Sequence, residues 1–418
     1  MHALLLPVGS HGDVLPLVGI GAALAARGHA VTLVTAEPFR PLADRHGFGF
    51  VPTGTAADYD AVIHDPDLWH PTKSLHVLFG GERPERMLRA AYAAIAGRFD
   101  PARPREVVVV SGSLGLAGRI ARDKLGVPLA TVHLQPMALP SVADPPELAT
   151  LRIRRWWPHW YRRLLYWAGE RLMLDPLLSP AVNGLRRELG LPAVKRIFGP
   201  WRHSPDRLLL AFPDWYASAP DWPAHARHVG FIRYDQADVV PTPPAVEAFL
   251  ASGPPPVVVS FGSAMRQAGP YLAAAVRALE RTGRRGLILA KAGAQIPPAL
   301  PALILQADYA PFGAVFPRAA AVIHHGGIGT SAQALAAGVP QLVMPMAFDQ
   351  ADNAARLARL GVATSLTPAR FTPDAVAAAL QELTGTAGAC QQVRTRTVAE
   401  SDGAAAAAGW VEALARTG

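Results

Sequence analysis

The chain has 418 residues, more than one ordinary core accommodates, so two domains of about 200 residues each are expected. Half of the residues are apolar and 17% are charged, which excludes a disordered chain, while the single cysteine, Cys390, excludes an internal disulfide and a cysteine-based zinc site. The net charge is +8; its arginines are scattered and no nucleic-acid motif accompanies them, so the expectation is a basic surface that attracts anionic substrates or membranes, not a nucleic-acid binder.

The first residues read as a buried strand, His2 to Val8, not as a signal peptide, because no basic segment precedes the apolar run. Gly9-Ser10-His11-Gly12-Asp13 reads as a tight turn, Leu15 to Arg27 as a helix closed by Gly28, and Ala30 to Thr35 as a second strand. Strand, glycine turn, helix and strand make a βαβ unit with a right-handed crossover. Further strands are expected at Glu106 to Val110 and Leu129 to His133. Asp13 either caps the helix or serves as a general base toward an acceptor hydroxyl; His11 is the rival base. Gly19-Ile-Gly21 is a weak dinucleotide-like trace, but it falls inside a helix and not at a strand end.

An insert from Leu151 to Trp167 is dense in arginine and aromatic residues, with Trp160, Leu164 and Trp167 on one helical face. It packs its aromatic face on the domain with the arginines in solvent, or forms an acceptor-pocket wall or a membrane-surface contact; the readings are compatible. Trp69, Trp157 and Trp160 are the acceptor-side candidates. Residues 234–256 are proline-rich and read as a linker between a first domain, 1–233, and a second, 257–398. Residues 399–418 are expected to form a helix that packs back on the first domain.

The pattern then restarts. Pro256 to Phe261, Gly286 to Ala290, Ala320 to His324 and Gln341 to Met344 read as strands, with helices at Tyr271 to Arg281 and Ser331 to Ala337. In Val322-Ile-His-His-Gly-Gly-Ile-Gly-Thr-Ser331 a strand ends in a glycine loop that opens a helix. Free amides and the positive helix end suit an anion, such as a diphosphate, with a donor from His325 and a hydroxyl from Thr330. Asp349 and Gln350 follow the next strand; they either hydrogen-bond sugar hydroxyls or cap the helix that begins there.

Together these elements resemble the GT-B glycosyltransferases of the UDP-glycosyltransferase superfamily (family 1). The resemblance is carried by the Gly-Ser-x-Gly-Asp turn, by Ser-Phe-Gly-Ser at 260–263, and by a signature from Tyr309-Ala-Pro-Phe312 through His324–Thr330 and Ala337–Pro340 to Asp349, Gln350 and Asn353. Asp65–Trp69, Val194–Phe198, His203–Pro205, Phe212–Trp215 and Asp221–Pro223 are further similar to the rhamnosyltransferases of rhamnolipid synthesis. The resemblance implies two facing Rossmann-like doubly wound α/β domains with an interdomain cleft. It implies an inverting, metal-independent transfer from a nucleotide sugar, as co-substrate and with no other cofactor, to a hydroxyl of a small hydrophobic acceptor such as a hydroxy-fatty acid lipid or a polyphenol.

By the same resemblance Asp13 stands where plant members carry a catalytic histidine. Tyr309 matches the aromatic that stacks on the base, Phe312 stands where plant members have a glutamine reaching it, and His325 matches the diphosphate histidine. Gly329 and Thr330 match residues on the second phosphate, and Asp349 with Gln350 the pair on the sugar. Ser263, Ala310 and Gly327 complete the expected donor set. Plant members have a glutamate on the ribose where this chain has Gln333; a carboxylate would hold both ribose hydroxyls, so its absence favours a deoxyribose donor such as dTDP-rhamnose over UDP-glucose. The expected partners are the acceptor and the nucleotide sugar, with peripheral membrane contact and no nucleic acid. The expected compartment is the cytoplasm, at the inner face of the membrane where lipids are the acceptors. The rival readings are a nucleotide-sugar epimerase, a lipid-binding module without transfer, and a Rossmann oxidoreductase.

Overall fold

The computed structural model describes residues 1–418 apart from 71, 149–150, 152, 263–264, 266, 292–295, 401 and 418. Two compact units emerge. One comprises Met1–Pro146, Arg152–Ile232 and Ser401–Gly418; the other comprises Glu147–Leu151 and Arg233–Glu400.

The first unit is built on seven strands: β1 (His2–Leu6), β2 (Ala30–Thr35), β3 (Gly49–Pro52), β4 (Val107–Gly112), β5 (Leu129–His133), β6 (Arg207–Leu210) and β7 (Ala226–His228). Runs such as Val107 to Val110 are wholly buried, as strands covered by helices on both faces require, and each pairing is parallel. The order is β3-β2-β1-β4-β5-β6-β7. The chain starts in the middle, runs outward, then crosses back, so the switch point lies between β1 and β4. Leu6 pairs with Ser111 there, which sets the loop after β1 beside the loop after β4. The helix after β1 spans His11–Ala25 and buries Val14, Leu17, Val18, Ile20 and Leu24. It begins four residues before the expected Leu15, because Ser10 caps it and Asp13 completes the box. Gly21 lies where a Cβ would be 2.6 Å from Leu5 Cδ1, so the Gly19–Gly21 trace serves helix–sheet packing.

The second unit has six parallel strands: β8 (Val257–Ser260), β9 (Gly286–Leu289), β10 (Ile304–Ala307), β11 (Ala321–His324), β12 (Gln341–Val343) and β13 (Ala363–Ser365). Their order is β10-β9-β8-β11-β12-β13, so the switch point falls between β8 and β11, where Ser260 pairs with His324. In doubly wound sheets a ligand binds at such a point, beyond the carboxyl ends of the strands. The proline-rich stretch 234–256 carries a helix, Pro244–Ala251, whose Val246 and Leu250 join a core with Val258, Leu287 and Phe316. The C-terminal helix, Gly403–Thr417, belongs to the first unit. Among the described residues no helix is long and apolar enough to cross a membrane.

Candidate active site

In the second unit the polar groups gather at the switch point. The helix Ile328–Ala337 is preceded by Gly327 in extended conformation, with no side chain capping it. Its first backbone bond runs from Ser331 N to Gly327 O, 3.0 Å, so the amides of 328, 329 and 330 precede the helical ladder at its positive end. A Cβ on Gly329 would meet nothing within 4 Å, which leaves an open approach to those amides. His325 lies beside them. Its ring fits only because positions 262 and 327 are glycine: a Cβ at 262 would be 2.8 Å from His325 Cε1, and one at 327 would be 2.7 Å from Nε2. Burial drives the His325 pKa down to about 4, so the imidazole is neutral near pH 7. Its buried Nδ1 makes no hydrogen bond to a described residue; an anion's oxygen is a partner of the right chemistry.

The loop is held from behind by a residue that the sequence reading passed over. His324, the last residue of β11, is fully buried. Its Nδ1 accepts from Gly326 N at 3.1 Å, and its Nε2 lies 3.0 Å from Gln341 Oε1. Burial lowers its pKa to about 3, so it stays neutral and can accept. Asn353 adds a second tie: its Nδ2 donates to Gly326 O at 2.9 Å and to Asp349 Oδ2 at 2.7 Å.

Asp349 stands at the N-cap position of Gln350–Arg359, yet its side chain makes no capping bond. The capping alternative is therefore not the one adopted. Phe348, just before it, has φ 57, a conformation that non-glycine residues adopt at a cost and that recurs at ligand sites. Gln350 is buried; its Oε1 accepts from Met346 N at 2.8 Å and Ala347 N at 3.1 Å, so its carbonyl end shapes the loop and only its amide end remains for a ligand.

Several expected donor residues differ in surroundings from the sequence reading. Ala310 is fully buried in the core of the second unit and offers no surface to a donor. Phe312 stacks on buried Phe316 with ring centroids 4.5 Å apart, so its ring is largely a core element, because one face is taken by that stack. Gln333 is buried and donates from Nε2 to Arg233 O at 2.7 Å. Tyr309 is half-buried and its hydroxyl donates to the Asp235 carbonyl; Asp235 Oδ2 also accepts from Gly313 N at 2.6 Å. Ser263 lies outside the described residues.

In the first unit, Ser10 and Asp13 form a capping box. Asp13 Oδ2 accepts from Ser10 N at 2.9 Å and Ser10 Oγ at 3.3 Å, and Ser10 Oγ accepts from Gly12 N at 3.3 Å. The N-cap is therefore Ser10 and not Asp13, which is the third helical residue and closes the box from inside the first turn. Asp13 is also half-buried with its pKa raised to about 6, since burial outweighs the Ser10 hydrogen bonds that pull it down. Such a carboxyl is poised for proton transfer near neutral pH. Gly9, with φ +136, is needed beside it: a Cβ there would be 2.2 Å from Asp13 Oδ2. His11 packs edge-on to Phe39 at 5.0 Å. Trp69 ends the 3₁₀ turn Pro66–Trp69 and is half-buried; Trp157 is half-buried against Tyr161 at 5.2 Å, and Trp160 is 66% exposed.

Two doubly wound sheets, one with an uncapped helix start of the kind that suits an anion at its switch point, are a frame on which many nucleotide-dependent enzymes are built. Residues 288–408 match the family model for the erythromycin biosynthesis protein CIII-like C-terminal domain. The chain is 31% identical over 432 residues to O-mycaminosyltylonolide 6-deoxyallosyltransferase of Streptomyces fradiae, covering 96% of this chain and 93% of that protein. It is 30% identical over 399 residues to dTDP-epi-vancosaminyltransferase of Amycolatopsis orientalis, covering 91% and 89%. The calicheamicin glycosyltransferase CalG4 superposes with a TM-score of 0.72 at 22% identity, over 100% of this chain and 98% of that one. The chain therefore belongs to the GT-B glycosyltransferases of the UDP-glycosyltransferase superfamily. It is an enzyme that transfers sugar from a nucleotide sugar.

Proposed function

We propose that this glycosyltransferase moves a 6-deoxyhexose or hexose from a dTDP-sugar, with dTDP-rhamnose the favoured donor and UDP-glucose the second candidate, to a hydroxyl of a small hydrophobic natural product. The observation that carries the reading is His325, a buried neutral imidazole between two glycines, beside the uncapped start of Ile328–Ala337. These groups suit a diphosphate. The helix end and the His325 and Thr330 donors balance the charge that builds on the leaving group, a role often given to a metal ion, and on that ground we assign the reaction no metal.

The chemistry is a single displacement. Asp13 takes the proton of the acceptor hydroxyl; the oxygen forms its bond to the anomeric carbon as the bond to the diphosphate breaks. The electron pair leaves with the diphosphate, and the anomeric configuration inverts. Tyr309 lies beside the base, and Asp349 with the amide end of Gln350 holds the sugar. Support for dTDP comes from the dTDP-linked sugar named for one relative. Hydroxy-fatty acids and polyphenols are the acceptor classes we favour, and the cytoplasm is the compartment we assign, given one cysteine in the chain.

The test is a panel of dTDP-rhamnose, UDP-glucose and other donors against hydroxy-fatty acids and flavonols, read by mass. A rhamnosylated product formed fastest from dTDP-rhamnose is expected. Transfer from UDP-sugars alone would overturn the donor assignment, and a new nucleotide sugar formed without acceptor would identify an epimerase.

A further inference from the structure

The displacement proposed above draws on no side chain of the arginine- and tryptophan-rich insert, whose exposure is unusual. Eight large apolar side chains are exposed among the described residues, and six lie between Trp156 and Met173: Trp156, Trp160, Leu164, Trp167, Leu172 and Met173, from 48% to 78% exposed. The helix His159–Gly169 runs through a π-helical turn, Glu170–Leu174, into Asp175–Glu188. Spacings of four and three residues align Trp160, Leu164 and Trp167 on one side. The other side is anchored. Arg162 is buried, Tyr166 donates its hydroxyl to Ser141 O at 2.9 Å, and Asp175 accepts from the amides of Arg196 and Ile197 at 3.0 Å. The apolar stripe is thus the outer face of a fixed element.

The charge around the stripe names its occupant. Residues 151–174 carry six arginines and one glutamate, and that glutamate, Glu170, is already paired with Arg196 at 2.7 Å. Arg154, Arg163 and Arg171 are exposed. A second copy of the chain, itself of net charge +8, would bring arginine against arginine. Indole rings favour the headgroup level of a bilayer, and arginine extends from there to phosphate.

We propose that the outer face of residues 156–173, with its tryptophans in the headgroup layer and Arg163 and Arg171 on lipid phosphates, docks the enzyme on an anionic membrane surface. Docking of this kind combines modest apolar insertion with electrostatic attraction, so it is reversible and salt-sensitive. It does not depend on the donor or acceptor assigned above.

The experiment is sedimentation of the full-length protein with vesicles of phosphatidylcholine, alone or mixed with phosphatidylglycerol, while tryptophan emission is followed. Binding to the anionic vesicles only, with a blue shift and release by high salt, is expected. Each interfacial arginine contributes about a fivefold gain in partitioning. Arg163→Glu with Arg171→Glu should therefore lower binding on the order of a hundredfold, and Trp167→Ala with Leu172→Ser should weaken binding and reduce the blue shift to what Trp156 and Trp160 still report. The wild-type comparison decides first, whatever the stability of the variants. No pelleting with anionic vesicles at low salt overturns the proposal, as does equal binding to neutral ones. So does a folded charge-reversal variant, judged by its thermal midpoint, that binds as the wild type does. Self-association that Trp167→Ala with Leu172→Ser abolishes, without vesicle binding, would assign the face to a second copy instead.

Discussion

Asp13 has two tasks that pull against each other. As the third residue of a capping box it must stay near Ser10, whose amide and hydroxyl favour the ionised carboxylate. As a base it must hold a proton with useful affinity, and burial supplies that by raising its pKa to about 6. Because the folded pKa lies above the ordinary value of 3.8, ionised Asp13 opposes folding. Its contribution to stability is most favourable below about pH 4 and is lost as pH rises through 6. Two expectations follow from the same shift. The rate kcat/KM should fall about tenfold per pH unit below pH 6, as the base becomes protonated. Asp13→Asn should cut turnover by about 10²–10⁴-fold, leave dTDP affinity nearly intact, and keep or raise the thermal midpoint at pH 8, since an amide avoids the burial of charge while still accepting from Ser10. Unchanged turnover would remove Asp13 from the chemistry; a collapse of the midpoint would make it a cap and nothing more.

At the scale of elements, Gln333 shows how one side chain can serve architecture at a ligand-facing helix. It sits on Ile328–Ala337, and its amide fastens Arg233 of the segment that enters the second unit. Tyr309 and Gly313 fasten Asp235 two residues on. A carboxylate at 333 would set an oxygen against the Arg233 carbonyl in a buried place. Gln333→Glu should therefore cost about 1–3 kcal/mol of stability, read as a lower thermal midpoint, without a gain in UDP affinity; tighter UDP binding at an unchanged midpoint would contradict this. None of it was readable from spacing, because Tyr309 and Asp235 are 74 residues apart. What periodicity did reveal were the apolar runs Val107–Val110 of β4 and Ala321–Ile323 of β11 and the glycine loops after β1 and β11, since fully buried parallel strands leave a continuous apolar run. The helix Pro244–Ala251 was hidden by prolines that, read singly, mark a linker, though proline at a first helical position also starts one. His324 was hidden for a different reason: its polar ring ends an apolar strand, and its purpose appears only when Gly326 turns back onto it.

At the scale of the whole molecule, the first unit is assembled from chain that precedes the second unit and chain that follows it. Gly403–Thr417 buries Ala404, Ala407, Ala408, Val411 and Leu414 against the helix His11–Ala25 and strands β4 to β6. Glu412 pins it: His29 Nε2 lies 2.8 Å from Oε1, and Arg27 Nη1 lies 3.0 Å from Oε2. Arg207 adds its guanidinium over the Trp410 ring at 4.6 Å. The hydrogen bond from His29, then that from Arg27, holds the Glu412 pKa below the ordinary carboxylate value. A depressed carboxyl pKa stabilises the fold above the unfolded value, and that stabilisation is lost as pH falls through the folded one. Glu412→Gln should thus lower the first unit's thermal midpoint by a few degrees at most at pH 7, for a loss of up to about 1 kcal/mol, with the gap to wild type closing as pH falls below the ordinary glutamate value and through the lowered one. Ending the chain at Asp402 should do more. It uncovers the apolar face that the helix shields, so calorimetry should resolve two transitions, the first unit's moved down and the second unit's in place. A single transition displaced as a whole would mean that the two units unfold as one cooperative body, and that the returning helix serves both.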